Sequence, residues 1–410
     1  MSMKLRQIFI FMLDLKKLSK FIMQTLQIIF SDQEIPKKIQ KSIFLAGPSP
    51  RKKNIHDWKK DALDIFCNLQ YDGTIFIPVP KNKFYEKTDD ANWTYDHQVD
   101  WECRARQISD LILFWIPRDI ENEMPGFTTN IEFGEDLYSG KILYGRPQNA
   151  EKCRYLDKRI IEIQDVIYTN LESLIQKSIK LLGQGALRKD GETYIPLFIW
   201  ETEQFQLWYQ NLKNNGNQLI EAKLLHFFKV SQKIFSFVIW TKIWIAKENR
   251  FKSNEFIFSR KDISAIIPYF EKDSEIFLVF IKEFRSPVRN EEGMVYELPS
   301  GSSSNTSLSS LATIQHEMLE ETGIYTSDMN RFQFISTKQI CSTLSTHCCH
   351  LFKIKLLPEE ILQIQQSIQK QKAFGVKEDT EQIHLEIISL KEILNYPIDY
   401  AMLGMILSAF

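Results

Sequence analysis

The sequence has no apolar run near the roughly 20 consecutive residues that a membrane-spanning helix requires. Stretches such as 8–13 and 28–30 end far short of that length. It also has no surplus of charge. The 51 Lys and Arg stand against 52 Asp and Glu, a net charge of -1, which excludes a chain-wide attraction to nucleic acid polymers or to an anionic membrane. Cysteines are few, six in 410 residues and none in a C-x-x-C pair, a pattern that suits reduced thiols rather than a disulfide frame. There is no internal repeat, and the serines of 300–310 amount to a short turn. What the chain does have is material for cores. Apolar residues make up 44%, with 29 Phe, 14 Tyr and 8 Trp, over a length that allows two or three domains.

Residues 1–40 read as a basic N-terminal extension, with five Lys or Arg before position 31 against one acid, Asp14. Such a leader is either a short packed helix or an organelle-targeting segment, so the expected location is cytoplasmic, with an organelle as the alternative. From residue 41 the texture alternates. The stretches 43–46, 74–79, 110–117 and 141–144 are nearly all apolar, and helix-like stretches such as 58–69 separate them. Strands apolar on both faces and spaced by helices imply a parallel sheet over 41–160, an α/β domain of flavodoxin or Rossmann type. Residues 161–250 are expected as a mostly helical connector, with helices at 170–182 and 205–213 and breaks at Gly183, Gly185 and Gly191. Beyond 251 the expected strands are 255–258, 263–270, 275–282, 295–298, 349–356 and 384–390, with helices at 308–321 and at the end of the chain.

In that last third, Glu317, Glu320 and Glu321 fall within about a 100° arc of one helix, while Leu308, Leu311, Met318 and Leu319 take the other side. Three carboxylates so close repel one another unless a cation sits among them, and oxygen ligands favour a hard ion, Mg²⁺ or Mn²⁺. Stability alone would not place acids near a helix C-terminus, where the dipole is already negative. The plain alternative is a solvated acidic helix end. The run H-C-C-H at 347–350 is expected as a buried strand edge rather than a zinc site, because adjacent residues of a strand point to opposite sides.

The segment E-L-P-S-G at 297–301, followed by E-M-L-E-E-T-G at 317–323, resembles the Nudix box. Upstream, F-I-K-E-F-R-S-P-V at 280–288 is similar to the strand and turn before that box in ADP-ribose-pyrophosphatase-like members. The resemblance implies an α/β/α sandwich over 251–410 that hydrolyses a nucleoside diphosphate derivative of the ADP-ribose or ADP-sugar type. It implies Glu317, Glu320 and Glu321 as metal ligands, Glu317 as a catalytic group, and Arg285 and Glu297 as substrate contacts. Leu308 and His316 stand where the motif has glutamate and arginine.

A second resemblance rests on F-L-A-G-P at 44–48, Q-V-D-W-E at 98–102, D-L-I-L-F-W-I-P-R at 110–118, T-T-N-I-E-F-G at 128–134, and Gly140 with Lys141. Together these blocks resemble nucleoside 2-deoxyribosyltransferase-like proteins. Cleaving an N-glycosidic bond needs one carboxylate to meet the electron-poor anomeric carbon and an acid to protonate the departing base. The resemblance implies Glu132 as the nucleophile, with a helix N-terminus expected to keep it ionised. It implies Glu102 as a proton relay or sugar-steering acid. Gly47, Gln98, Trp101 and Asn130 are the expected substrate-binding residues, and Arg51 and Arg118 either hold a phosphate or are cations at the sheet edge.

The expected whole is a bifunctional enzyme of nucleotide metabolism acting on nucleoside or nucleotide small molecules. Assembly into a homo-oligomer is also expected. The alternative is a nucleotide sensor that binds without cleaving.

Overall fold

The computed structural model describes residues 26–52, 54–86, 94–302, 309–375 and 381–410. The chain folds as two compact units, one of residues up to His226 together with Ile239–Glu255, the other of Phe227–Val238 with Phe256–Phe410. This division falls inside long strands rather than at the boundaries expected at 160 and 250. Among the described residues no helix is long and apolar enough to cross a membrane. All six cysteines are free.

The first unit is built on a five-stranded sheet: β1 (Gln27–Phe30), β2 (Ser42–Ala46), β3 (Thr74–Ile77), β4 (Leu111–Trp115) and β5 (Ile142–Gly145), in the order β1-β3-β2-β4-β5. Every pairing is parallel. All residues of β2, β3 and β4 are buried, which is why those segments read as unbroken apolar runs. Helices α1 (Trp58–Asn68) and α4 (Leu171–Leu182) cover one face with Phe66, Leu174 and Ile175. Helices α2 (Tyr95–Ile108) and α3 (Phe127–Asp136) cover the other with Trp101, Ala105 and Phe133. Strand β1 lies inside the stretch expected to be an extension. It forms a sheet edge, its Phe30 is core, and the leader itself is outside the described residues up to position 25.

The expected helical connector is a correction. Helices do occupy 171–182 and 203–214, but the chain then forms three long strands, β6 (Gln218–Val230), β7 (Lys233–Ile245) and β8 (Arg250–Arg260), in the order β8-β7-β6. In β6 the apolar residues stand at 219, 220, 222, 224, 225, 227, 228 and 230, a mixture that breaks the strict alternation of a strand. The turn is Ser231-Gln232, both with positive φ of 48° and 66°. Two-residue hairpins that need this geometry usually advertise it with Asn-Gly or Gly, so the signal was missing.

The second unit is an α/β/α sandwich around a mixed seven-stranded sheet. Its main path is β11 (Met294–Glu297), β10 (Glu275–Phe284), β9 (Ile263–Lys272), β13 (Cys348–Lys355) and β12 (Gln333–Gln339). Strand β14 (His384–Ser389) pairs with β10, and Ser300–Gly301 pairs with β9. Ile266, Val279 and Phe352 face Ile314 and Met318 of α5 (Ser310–Thr322) and Ile364 of α6 (Pro358–Gln369). Ile267, Phe280 and Leu351 face Met402 and Ile406 of α7 (Tyr400–Leu407).

Candidate functional site

In the first unit the chain leaves β2 toward β3 on one side and reaches β4 on the other, so a crevice opens beyond the carboxyl ends of these strands. Gly47 follows β2 there with φ of +153°, and a Cβ would lie 2.1 Å from the Trp115 carbonyl oxygen at the end of β4. Only glycine allows that approach. The crevice is a cavity of about 550 Å³ whose wall includes Gly47, Ser49, Arg51, Gln98, Glu102 and Glu132. That volume suits a small-molecule ligand.

Two helices bring the carboxylates together. Thr94 caps α2 by accepting from the His97 amide at 3.3 Å. One turn apart on that helix, Gln98 donates to Glu102 Oε1 at 2.8 Å and also to the Pro78 carbonyl at 3.2 Å, which ties α2 to the end of β3. Helix α3 starts at Gly126 in the left-handed region (φ 63°), where a Cβ would meet the Pro48 ring at 2.8 Å. This close packing sets the helix against the 47–50 loop and presents Glu132, 9% exposed, to the same cavity. Glu132 and Glu102 share a hydrogen bond. Burial pushes the Glu132 carboxyl upward, and the Glu102 charge pushes it further. Glu102 also rises through burial, but the Gln98 hydrogen bond, Arg106 and Lys59 oppose that rise.

The expectation that a helix N-terminus keeps Glu132 ionised is therefore corrected. Glu132 is in the second turn of α3, and desolvation plus a like charge favour its protonated form. Gly47 and Gln98 line the cavity. Trp101 does not. It is packed between Phe44 and Phe76 with its indole donating to the Gln33 carbonyl at 2.9 Å. Asn130 faces away and accepts from Arg118, whose guanidinium also donates to the Lys152 carbonyl at 2.8 Å. Neither Asn130 nor Arg118 reaches the cavity wall. Lys141 serves α2, donating to the carbonyls of Arg106 and Gln107 at 2.5 and 3.0 Å.

Sequence reading missed Lys59 and Arg106. Lys59 is fully buried and donates to Ser49 Oγ at 2.8 Å. Arg106 lies behind the carboxylates and joins α2 to α3 through Glu135 at 2.7 Å and Asp136 at 2.5 Å. Both are cations on helices and carried no motif to single them out.

In the second unit the helical acids separate. Ser309 caps α5, accepting from the Ala312 amide at 3.2 Å. Glu317 packs on the 300–301 strand, where a Cβ on Gly301 would lie 2.2 Å from its Oε1. Burial and the neighbouring Glu320 push the Glu317 carboxyl up to about 7. Glu321 is buried and accepts from the Ser300 amide at 2.8 Å, yet desolvation still holds it well above the carboxylate range. Glu320 pairs with His316 at 3.0 Å. Arg285 and Glu297, expected to meet substrate, hold each other at 3.0 Å, and Arg285 also lies 2.8 Å from Glu283. Leu308 is outside the described residues.

The donor chemistry fits a hard cation, since buried carboxylates driven toward protonation lack a counter-charge. The expected three-ligand set is not assembled, because Glu321 is committed to the Ser300 amide and Glu320 to His316. Among the described residues, no three metal-capable side chains converge. In the 347–350 run, His347 bonds Ser345 and His350 bonds Thr337, each at 2.8 Å, while burial pushes the Cys349 thiol up to about 12.

The first unit thus has the properties of an open parallel α/β domain with an acid pair at its ligand crevice. Residues 40–149 match the family model described as nucleoside 2-deoxyribosyltransferase like. No curated protein matches the chain.

Proposed function

We propose that the first unit breaks, or transfers at, the N-glycosidic bond of a nucleoside or nucleotide. The observation that supports this is the hydrogen-bonded pair of buried Glu132 and half-buried Glu102 on the wall of a ligand-sized cavity. Such a pair holds one proton in common, as two close buried carboxylates cannot both ionise without large cost. Positive charge developing at the anomeric carbon favours ionised Glu132, so the shared proton passes to Glu102. The bond to the base breaks with its electron pair on the base nitrogen, and Glu102 supplies the proton that nitrogen takes up. Glu132 bonds to the sugar carbon, and water or a second base then displaces it. The test is release of free base from deoxynucleosides and their monophosphates. Glu132→Gln should lower it by about 10² or more, and unchanged release in that variant would defeat the reading.

A second reading concerns the other unit. We infer that it hydrolyses a nucleoside diphosphate derivative in the manner of Nudix enzymes, supported by the Glu317 carboxylate seated against Gly301, where burial and Glu320 push it toward protonation. Glu317, with Glu320 once it leaves His316, would hold Mg²⁺ or Mn²⁺ there, and the cation would supply Lewis-acid activation of a phosphoryl group. Arg285 would leave Glu297 to bind substrate phosphate, as a guanidinium suits that geometry. Turnover of ADP-ribose and ADP-sugars with Mg²⁺ tests this. Saturable binding with no turnover would instead mark a nucleotide sensor.

A further inference from the structure

We propose that the cavity of the first unit takes a phosphorylated nucleoside, with Ser49, Arg51 and Lys60 holding the phosphate and Lys59 positioning Ser49. This deepens the glycosidic reading and rests on it for the sugar and base. The reacting end of the cavity carries Glu102 and Glu132, but the loop after β2 and the start of α1 bring a different charge to the same wall. Arg51, Lys52 and Lys60 all line it. Of these, Lys52 is 3.5 Å from Glu123, and Lys60 lies over the Phe84 ring at 5.4 Å. The nearby acid on this side, Asp57, caps α1 by accepting from the Lys59 amide at 3.1 Å. Breaking a glycosidic bond makes no use of this cationic side, and a neutral nucleoside offers it nothing.

Lys59 makes the argument specific. Its ammonium is fully buried, lies 3.7 Å from the capping Asp57, and donates to Ser49 Oγ at 2.8 Å. The ammonium also lies 4.9 Å from the centre of the Trp58 ring and acts on the Glu102 charge, so it is held in one place behind Ser49. An ammonium has donors only, so Ser49 must accept from it and is left to donate its own hydroxyl hydrogen outward. Ser49 is exposed on the cavity wall. A hydroxyl polarised in this way, with the Arg51 guanidinium on the same cavity wall, is a site for an anion with several acceptor oxygens, which is what a phosphate presents.

The experiment uses the full chain. Each 2′-deoxynucleoside and its 5′-monophosphate is titrated calorimetrically, and base release is followed in parallel. The monophosphate should bind roughly tenfold more tightly or better than the nucleoside. Ser49→Ala, Arg51→Ala and Lys59→Met should each bring that ratio toward one. A purely structural defect would weaken both ligands alike and leave the ratio standing. Equal affinity for the two ligands, or a ratio that survives Ser49→Ala and Arg51→Ala, overturns the proposal. Phosphate-dependent binding with no base release from any compound retains the phosphate subsite and sinks the glycosidic reading. Base release without phosphate preference does the reverse.

Discussion

Glu132 is held in the folded chain with its carboxyl desolvated and beside a like charge. Its carboxyl rises in the folded state, so between the unfolded value near 4.3 and the folded one the native chain binds more protons than the unfolded chain. Stability therefore falls as pH climbs through that window and is flat above it. Glu132→Gln removes the penalty. Its melting temperature should exceed that of the parent chain by more at pH 8.5 than at pH 5, and a difference independent of pH would contradict the shift. Glu317 follows the same sign with its window closing near 7. Gly47 is a second residue-scale case, because a Cβ there would strike the Trp115 carbonyl oxygen at 2.1 Å. Gly47→Ala should destabilise the unit by about 1–3 kcal/mol in denaturant titration, as an overpacked site with a strained backbone does.

At the scale of elements, one buried ion pair holds a distant segment to the sheet. Asp110, just ahead of β4, accepts from Arg188 at 2.7 and 2.6 Å, from the Leu197 amide at 3.0 Å and from the Ser42 amide at 2.9 Å. Both side chains are fully inaccessible. The sequence showed Asp110 as the start of a strand, but nothing in it named Arg188 as partner, since 78 positions separate them. Removing one member leaves a buried charge, so Arg188→Met should cost about 3–5 kcal/mol by chemical denaturation. Replacing both with apolar residues should cost less. In the second unit, Gly301 lies against the flexible end of Glu317. Gly301→Ala should leave the melting temperature close to that of the parent chain. It should displace the carboxylate enough to lower any Mg²⁺-dependent diphosphatase rate about 10²-fold, the cost of misplacing a reacting group by an ångström.

At the scale of the whole molecule, two compact units each carry their own acid group. The readings proposed above assign each unit its own activity. Glu132→Gln should remove base release and spare diphosphate hydrolysis, and Glu317→Gln should do the opposite, when both assays are run on each purified variant. Loss of both activities in either variant would mean that the units do not act independently.

The sequence by itself determined what is local and repeated. The apolar runs of β2, β3 and β4 read as strands buried on both faces, and α1 and α5 were legible within two residues of their ends because helical periodicity needs only near neighbours. It also supplied Glu102 and Glu132 as candidates, because their blocks occur in order with strands between them. Tertiary structure decided the rest. Whether Trp101 faces ligand or core, whether Asn130 meets substrate or Arg118, and whether Lys59 stands behind Ser49 all depend on which surfaces of separate helices meet across the sheet. The long strands β6 and β7 escaped for a related reason. Their turn takes positive φ at Ser231 and Gln232, and cross-strand pairing along a hairpin is a contact that no window of neighbouring residues contains.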